Sequence, residues 1–211
     1  MAITRTFVDK VLGSLSKKIK AFHSEAEFQF AFAWELKSLV SSLEIFLEHT
    51  MRNGSNSYHV DLIVVEANGD KTGFEFKYKT KKTGNPSAFG LAHELLNQGA
   101  QNNACYDYLK DVFRLEDLKN HGLISAGYSI MLTNDDSYWN SIGKSSTADY
   151  KDFRICQGNT SSGTLSWGST KSGKRSAAIR LIGSYAHSWN DYHPWGTLKS
   201  SVFKCLITEI K

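Results

Sequence analysis

The sequence predicts an α/β domain built on a mixed sheet, and three observations carry that expectation. Residues 58–82 read as a β-hairpin, two β-rich runs flanking an Asn68-Gly69 turn signal. Helical periodicity lies on both sides of it, at residues 3–42 and from about Phe89 to Leu118. A short apolar run, Gly127 to Thr133, follows the second helical stretch. A strand that follows a helix after a hairpin is the natural parallel crossover strand of an α/β core.

The elements follow in order. Phe7, Val11, Leu15 and Ile19 recur at four-residue spacing among Lys10, Lys17, Lys18 and Lys20, which predicts a docking helix over residues 3–21. Ser24 followed by Glu27 is a capping box and starts a second helix, expected to run to about Ser42. Its core stripe is Phe28, Phe32, Leu36, Leu39 and Leu43; Glu25 continues that stripe backwards and Glu27 lies off it. Capping and helix-dipole chemistry is the plainer role for both glutamates. Leu43 to Met51 reads as a strand, and Arg52 to Ser57 as a loop.

The hairpin then decides which side chains meet. Along its second strand Gly73, Glu75, Lys77 and Lys79 point one way, and Phe74, Phe76 and Tyr78 the other. On the first strand His59, Asp61, Ile63 and Val65 share a face. A two-residue loop would set Asp61 opposite Phe76, on the wrong face. A three-residue loop, Ala67-Asn68-Gly69 with Gly69 left-handed, pairs Glu66 with Asp70 and sets Asp61 opposite Glu75. Cβ atoms of such pairs lie about 5 Å apart. Two carboxylates that close repel, and a divalent cation is the economical way to offset them, since hard cations prefer oxygen ligands. Lys77 sits beside that position. The bland reading is a surface hairpin with an ordinary Glu–Lys pair on its solvent face.

Beyond a loop at Thr83 to Ser87, the helical stretch to Leu118 has the stripe Leu91, Leu95, Gln98, Asn102, Tyr106, Leu109 and Phe113. Gln98 and Asn102 are polar groups on an apolar face, so they are expected to point into a cleft near the hairpin. Gly99 is where this helix would break or kink. After the parallel strand, Asn134 to Trp139 forms a turn, which explains Asp135 and Asp136 better than a ligand role does. Residues 140–175 are rich in Ser, Thr, Gly and Lys, with short strands expected at Phe153–Cys156 and Thr164–Trp167 around a turn at Gly158–Gly163. Lys171 to Arg175 reads as a flexible basic loop. Ile179–Ile182 and Val202–Ile210 read as late strands, and Tyr185, Trp189, Tyr192 and Trp195 between them as aromatics packed under a loop rather than stacked on bases. No repeat or long linker divides the chain. Residues 1–211 form one domain, with a core at about 24–133 and extra strands and loops over 140–211.

Composition narrows the class. A net charge of +4 permits an anionic partner without requiring one. Residues 71–82 hold five lysines, at 71, 77, 79, 81 and 82, and beside paired carboxylates phosphate attraction becomes the better reading of them. Three well-separated cysteines without Cys-x-x-Cys indicate a reducing compartment. No apolar run reaches membrane-spanning length and none resembles a signal peptide, so a cytoplasmic protein without a membrane partner is expected. The histidines lack zinc spacing, and neither Gly-x-Ser-x-Gly nor a P-loop is present.

Asp61, thirteen intervening residues, then Glu75-Phe76-Lys77 resembles the PD-(D/E)XK nuclease superfamily. Val60 stands where a proline is usual, a position often substituted. The resemblance implies a restriction-endonuclease-like core, a mixed central sheet with helices on both faces. It implies a Mg²⁺-dependent DNA endonuclease, Mn²⁺ substituting, that leaves a 5′-phosphate and a 3′-hydroxyl. Asp61, Glu75 and the Phe76 carbonyl would hold the metal. Lys77 would orient or deprotonate the attacking water, and Glu25, with Glu27 as alternative, would complete the site. Lys79, Lys81, Lys82, Gln98 and Gln101 are the expected DNA contacts. Gln101 and Tyr106 are similar to, but not spaced as, a Gln-x-x-x-Tyr motif of some DNA-end-processing members. Double-strand cutting often needs two active sites, which a homodimer would supply. The alternative is a catalytically inactive nucleic-acid-binding or assembly module of the same fold.

Overall fold

The computed structural model describes all residues except 1–2, 20, 83–86, 89–90, 93–94, 142–144, 170–172, 195–201 and 211. Helix α1 (Arg5–Lys18) is capped by the Thr4 hydroxyl, which accepts the Phe7 N–H. Helix α2 (Glu25–Leu39) starts with the expected capping box. Ser24 Oγ accepts the Glu27 N–H at 3.1 Å, and the Glu27 carboxylate reaches back to the His23 N–H. The helix stops short of Ser42 because Val40 is extended. Leu39 is therefore 37% exposed rather than in the core, while Leu43 is buried beyond the helix end.

Strands β1 (Glu44–Asn53), β2 (Asn56–Val65) and β3 (Lys71–Lys79) follow as an antiparallel meander. Strand β6 (Ala126–Thr133) then joins β3 in parallel, as the crossover requires. The main sheet is completed from the C-terminal third. Strand β10 (Val202–Ile210) pairs with β6 and with β9 (Trp189–Pro194), giving the order β1-β2-β3-β6-β10-β9. The core thus extends well past residue 133.

Helices cover both faces. Against α1 and α2 lie Phe74, Phe76, Tyr78, Tyr128, Ile130 and Leu132, with Phe28 and Phe32 of α2 5.2–5.3 Å from the rings of Phe74 and Phe76. Against α3 (Gln101–Asn120) lie Ile63, Met131, Leu206 and Ile210. Gly73 and Gly127 let α3 approach: a Cβ on either would stand 3.1–3.2 Å from Leu115 side-chain atoms. A second sheet, β7 (Thr160–Leu165) with β8 (Ile179–Ala186), packs on α3. Its anchor is Glu116, buried at 4% exposure, which accepts the N–H groups of Ile182 and Gly183 and the Tyr185 hydroxyl.

Three expectations are corrected. Helix α3 begins at Gln101, not near Phe89; β4 (Ser87–Ala88) and β5 (Leu91–Ala92) pair before it, and residues 95–100 are irregular. Ala100 is left-handed (φ +61), so no helix passes through it. The strand expected at Phe153–Cys156 is a 3₁₀ turn (Lys151–Phe153) followed by irregular backbone. Of the turn expected at Gly158–Gly163, Gly158 lies in a turn (φ +80), but Thr160 to Gly163 open β7. Tyr185, Trp189 and Tyr192 are buried, as packing predicts; Trp195 and part of the basic loop, Lys171-Ser172, lie outside the described residues. Among the described residues no helix is long and apolar enough to cross a membrane.

Candidate functional site

The turn between β2 and β3 takes the three-residue form. Glu66 N–H donates to Asp70 O, Gly69 N–H donates to Glu66 O, and Gly69 has φ +87. Pairing runs from Val65–Lys71 to Leu62–Phe74 and stops one step short of the expected Asp61–Glu75 pair. There β2 leaves β3. Val60 packs toward α3 while Leu62 and Val64 pack toward α1 and α2, and Ile63 again toward α3, so side-chain alternation breaks at Asp61. The break is matched on β1: Glu48, lying between the pairs Leu47–Leu62 and His49–Val60, has φ +48.

The departure of β2 strips β3 of a partner, and carboxylates take its place. Phe76 N–H donates to Asp61 Oδ2 at 2.7 Å, and Tyr78 N–H to Glu25 Oε2 at 2.8 Å. Gln29 fixes the fork by donating to the Asp61 carbonyl. Glu25 is thus the glutamate of α2 that faces the site, and Glu27 is spent on the cap.

Helix α3 adds two groups. Asp111 and Arg114, one turn apart, reach the sheet: Lys77 Nζ is 2.6 Å from Asp111 Oδ2, Arg114 Nη1 is 2.9 Å from Asp111 Oδ1, and Arg114 Nη2 is 3.0 Å from Glu75 Oε1. Lys77 also donates to the Phe76 carbonyl at 3.0 Å. In the sequence, Asp-x-x-Arg on a helix reads as an ordinary exposed i,i+3 pair. Only its 4%-exposed aspartate betrays it, and that burial is tertiary.

Four carboxylates (Glu25, Asp61, Glu75, Asp111) against two cations (Lys77, Arg114) leave two negative charges when all are ionised. The strain shows in proton affinities. Burial, opposed by the Phe76 hydrogen bond, pushes Asp61 up to about 6. Burial, with Asp111 and Asp61 nearby, holds Glu75 well above the usual carboxylate range. Burial works against the Lys77 ammonium, but Asp111 and Glu25 outweigh it and keep the proton on.

Glu25, Lys77, Lys79, Lys110, Asp111 and Arg114 line an open cleft of about 360 Å³ that also includes Asp107. Glu75 is 1% exposed and outside that lining. The other expected contacts lie apart from this cleft. Gln98 sits in the loop before α3, exposed, its N–H on the Thr80 carbonyl. Gln101 donates to Asp135 Oδ2. Both line a hollow with Thr80 and Lys81, where Lys81 pairs with Asp136. Lys82 is exposed, and its N–H is held by Asn97. Asp135 also caps its own turn by accepting the Ser137 N–H.

Among the described residues no three of the His, Cys, Asp and Glu side chains converge closely enough to hold a metal ion. The chemistry of the donors nonetheless fits a hard divalent cation. Asp61, Glu75 and the Phe76 carbonyl offer oxygen only, and Glu75 Oε1 is buried with no aligned hydrogen bond, its contact with Arg114 being ionic.

No family model matches the chain, and neither a curated protein nor a solved structure does.

Proposed function

We propose that the protein is a divalent-metal-dependent nuclease with a restriction-endonuclease-like core, acting on DNA. The observation that carries this reading is the fork in the hairpin: just past the last β2–β3 pair, Leu62–Phe74, the Asp61 carboxylate accepts the Phe76 N–H at 2.7 Å, between Glu75 and Lys77 on β3. The order of helix, three-strand meander, helix and parallel strand agrees with it.

Asp61, Glu75 and the Phe76 carbonyl would hold Mg²⁺ or Mn²⁺. The bound cation supplies Lewis acidity toward a phosphoryl oxygen and lowers the pKa of a bound water. Lys77, kept charged by Asp111, serves as a donor that orients the attacking water and offsets charge on the phosphoryl group; an ammonium so held is not a base. Glu25 stands at the same slot and holds the Tyr78 N–H. Lys79 and Lys110, on the cleft wall, attract the phosphate backbone.

The test is cleavage of supercoiled, linear and single-stranded DNA in Mg²⁺, Mn²⁺ or EDTA. Lys77→Ala is expected to keep DNA binding in a mobility-shift assay and to lose cleavage by about 10²–10³-fold, the cost of removing one preorganised charge. An unchanged rate in that variant refutes the mechanism. The salt-bridged state of Glu75 and Asp111 favours one second reading, a nucleic-acid-binding or assembly module that keeps the fold without catalysis. Mn²⁺ titration separates the two, since only the nuclease takes up metal.

A further inference from the structure

Two of the three expected metal ligands are already held by cations of the chain itself. Arg114 Nη2 lies on Glu75 Oε1, and Lys77 Nζ on the Phe76 carbonyl. Both cations are held by one residue, Asp111, through its two oxygens. We infer that Arg114 is a displaceable counter-ion standing in for the metal on Glu75, and that Asp111 is the anchor to which it swings back; this rests on the metal reading above.

Several features make the contact one that can be given up. Glu75 Oε1 is buried but forms no aligned hydrogen bond, so its pair with Arg114 is held by charge rather than by a directed bond, whereas Arg114 Nη1 hydrogen-bonds Asp111 Oδ1 at 2.9 Å. The Arg114 side chain is 22% exposed, and it lines the cleft whereas Glu75 does not. A cation coming from the cleft reaches Glu75 past this guanidinium. Arg114 keeps a second partner in Asp111 when it leaves Glu75, so its charge is not stranded. Released, it faces the cleft beside Lys79 and Lys110, where a phosphate would lie. Arg114 is thus a positioning residue that links metal entry to substrate charge, and metal affinity in the substrate-free protein is set by competition with it.

The experiment is calorimetric titration of the whole chain with Mn²⁺, without nucleic acid. The proteins are wild type, Arg114→Met, Arg114→Gln and Lys110→Met. Removing the competitor is expected to tighten Mn²⁺ binding about tenfold, the equivalent of ~1.4 kcal/mol. Lys110→Met, which removes a charge from the same cleft without touching Glu75, is expected to change affinity less than about twofold, the scale of an exposed charge. Arg114→Gln guards against misfolding of the methionine variant and carries the same direction. Equal affinity in wild type and both Arg114 variants overturns the inference while leaving the metal reading intact. An equal gain in Lys110→Met also overturns it, since general charge would then explain the effect. No Mn²⁺ uptake by any of the four overturns the metal reading and the inference together.

Discussion

Replacing Asp61 with asparagine is expected to make the metal-free protein more stable at neutral pH. An ordinary aspartate titrates near 3.8, and here burial pushes the carboxyl up to about 6. The gap is about two pH units, each worth ~1.4 kcal/mol. Asp61 is partly accessible in the fork, and solvent screening reduces the figure, so the variant should gain about 1–3 kcal/mol. The sign follows from proton uptake. Below about pH 4 both folded and unfolded chains hold the proton, and the residue contributes nothing. Between about 4 and 6 the unfolded chain ionises first, so wild type loses stability as pH rises; above about 6 the full cost is present. The asparagine side chain carries no charge, and its oxygen still accepts the Phe76 N–H that Asp61 Oδ2 accepts now. The assay is urea unfolding of both proteins at intervals from pH 4 to 8, with EDTA present. The two curves should converge toward pH 4 and separate above pH 6. A variant that is less stable at pH 7.5, or a difference that does not change with pH, refutes the view that Asp61 sits in an unrelieved electrostatic environment.

Two further outcomes concern the second sheet and the cleft wall. Glu116→Gln leaves one of the N–H groups of β8 without a strong acceptor and puts an amide where only acceptors are wanted; unfolding should show a loss of about 2–4 kcal/mol, and on the nuclease reading the folded fraction should still cleave. Lys79→Met and Lys110→Met should each weaken DNA binding evenly across sequences and lower the slope of log affinity against log salt by about 0.9, measured by fluorescence anisotropy.

The hairpin was legible because turn chemistry and alternation are local. Asn68-Gly69 marks the turn but admits a two- or a three-residue loop; the protein takes the three-residue form, with pairing from Val65–Lys71 to Leu62–Phe74. The crossover strand was legible from its apolar run for the same reason. The start of α3 was not. Leu91, Leu95, Gln98 and Asn102 keep a helical spacing, yet Leu95 is buried from an irregular segment and Ala100 is left-handed. A four-residue spacing cannot tell a helix from a loop that happens to dip into the core every few residues. The break in β2 at Asp61 escaped too, because it depends on Glu48 of the neighbouring strand. Asp111 and Arg114 escaped because their meaning lies in what the sheet presents to α3.

The fork where β2 leaves β3 also bears on how the protein avoids sticking to itself. Past Leu62 the second half of β3 is a sheet edge in the middle of the sheet, and an uncovered edge is a template for an added strand. Asp61 and Glu25 occupy the Phe76 and Tyr78 N–H groups that an intruding strand would claim, and their charge repels one. The carboxylates of the proposed centre are therefore also its guard against strand addition. An alanine at either position removes the acceptor and the charge together, and such a variant is expected to gain a tendency to aggregate, measured by light scattering. Asparagine and glutamine, which keep an acceptor in place, separate the two roles.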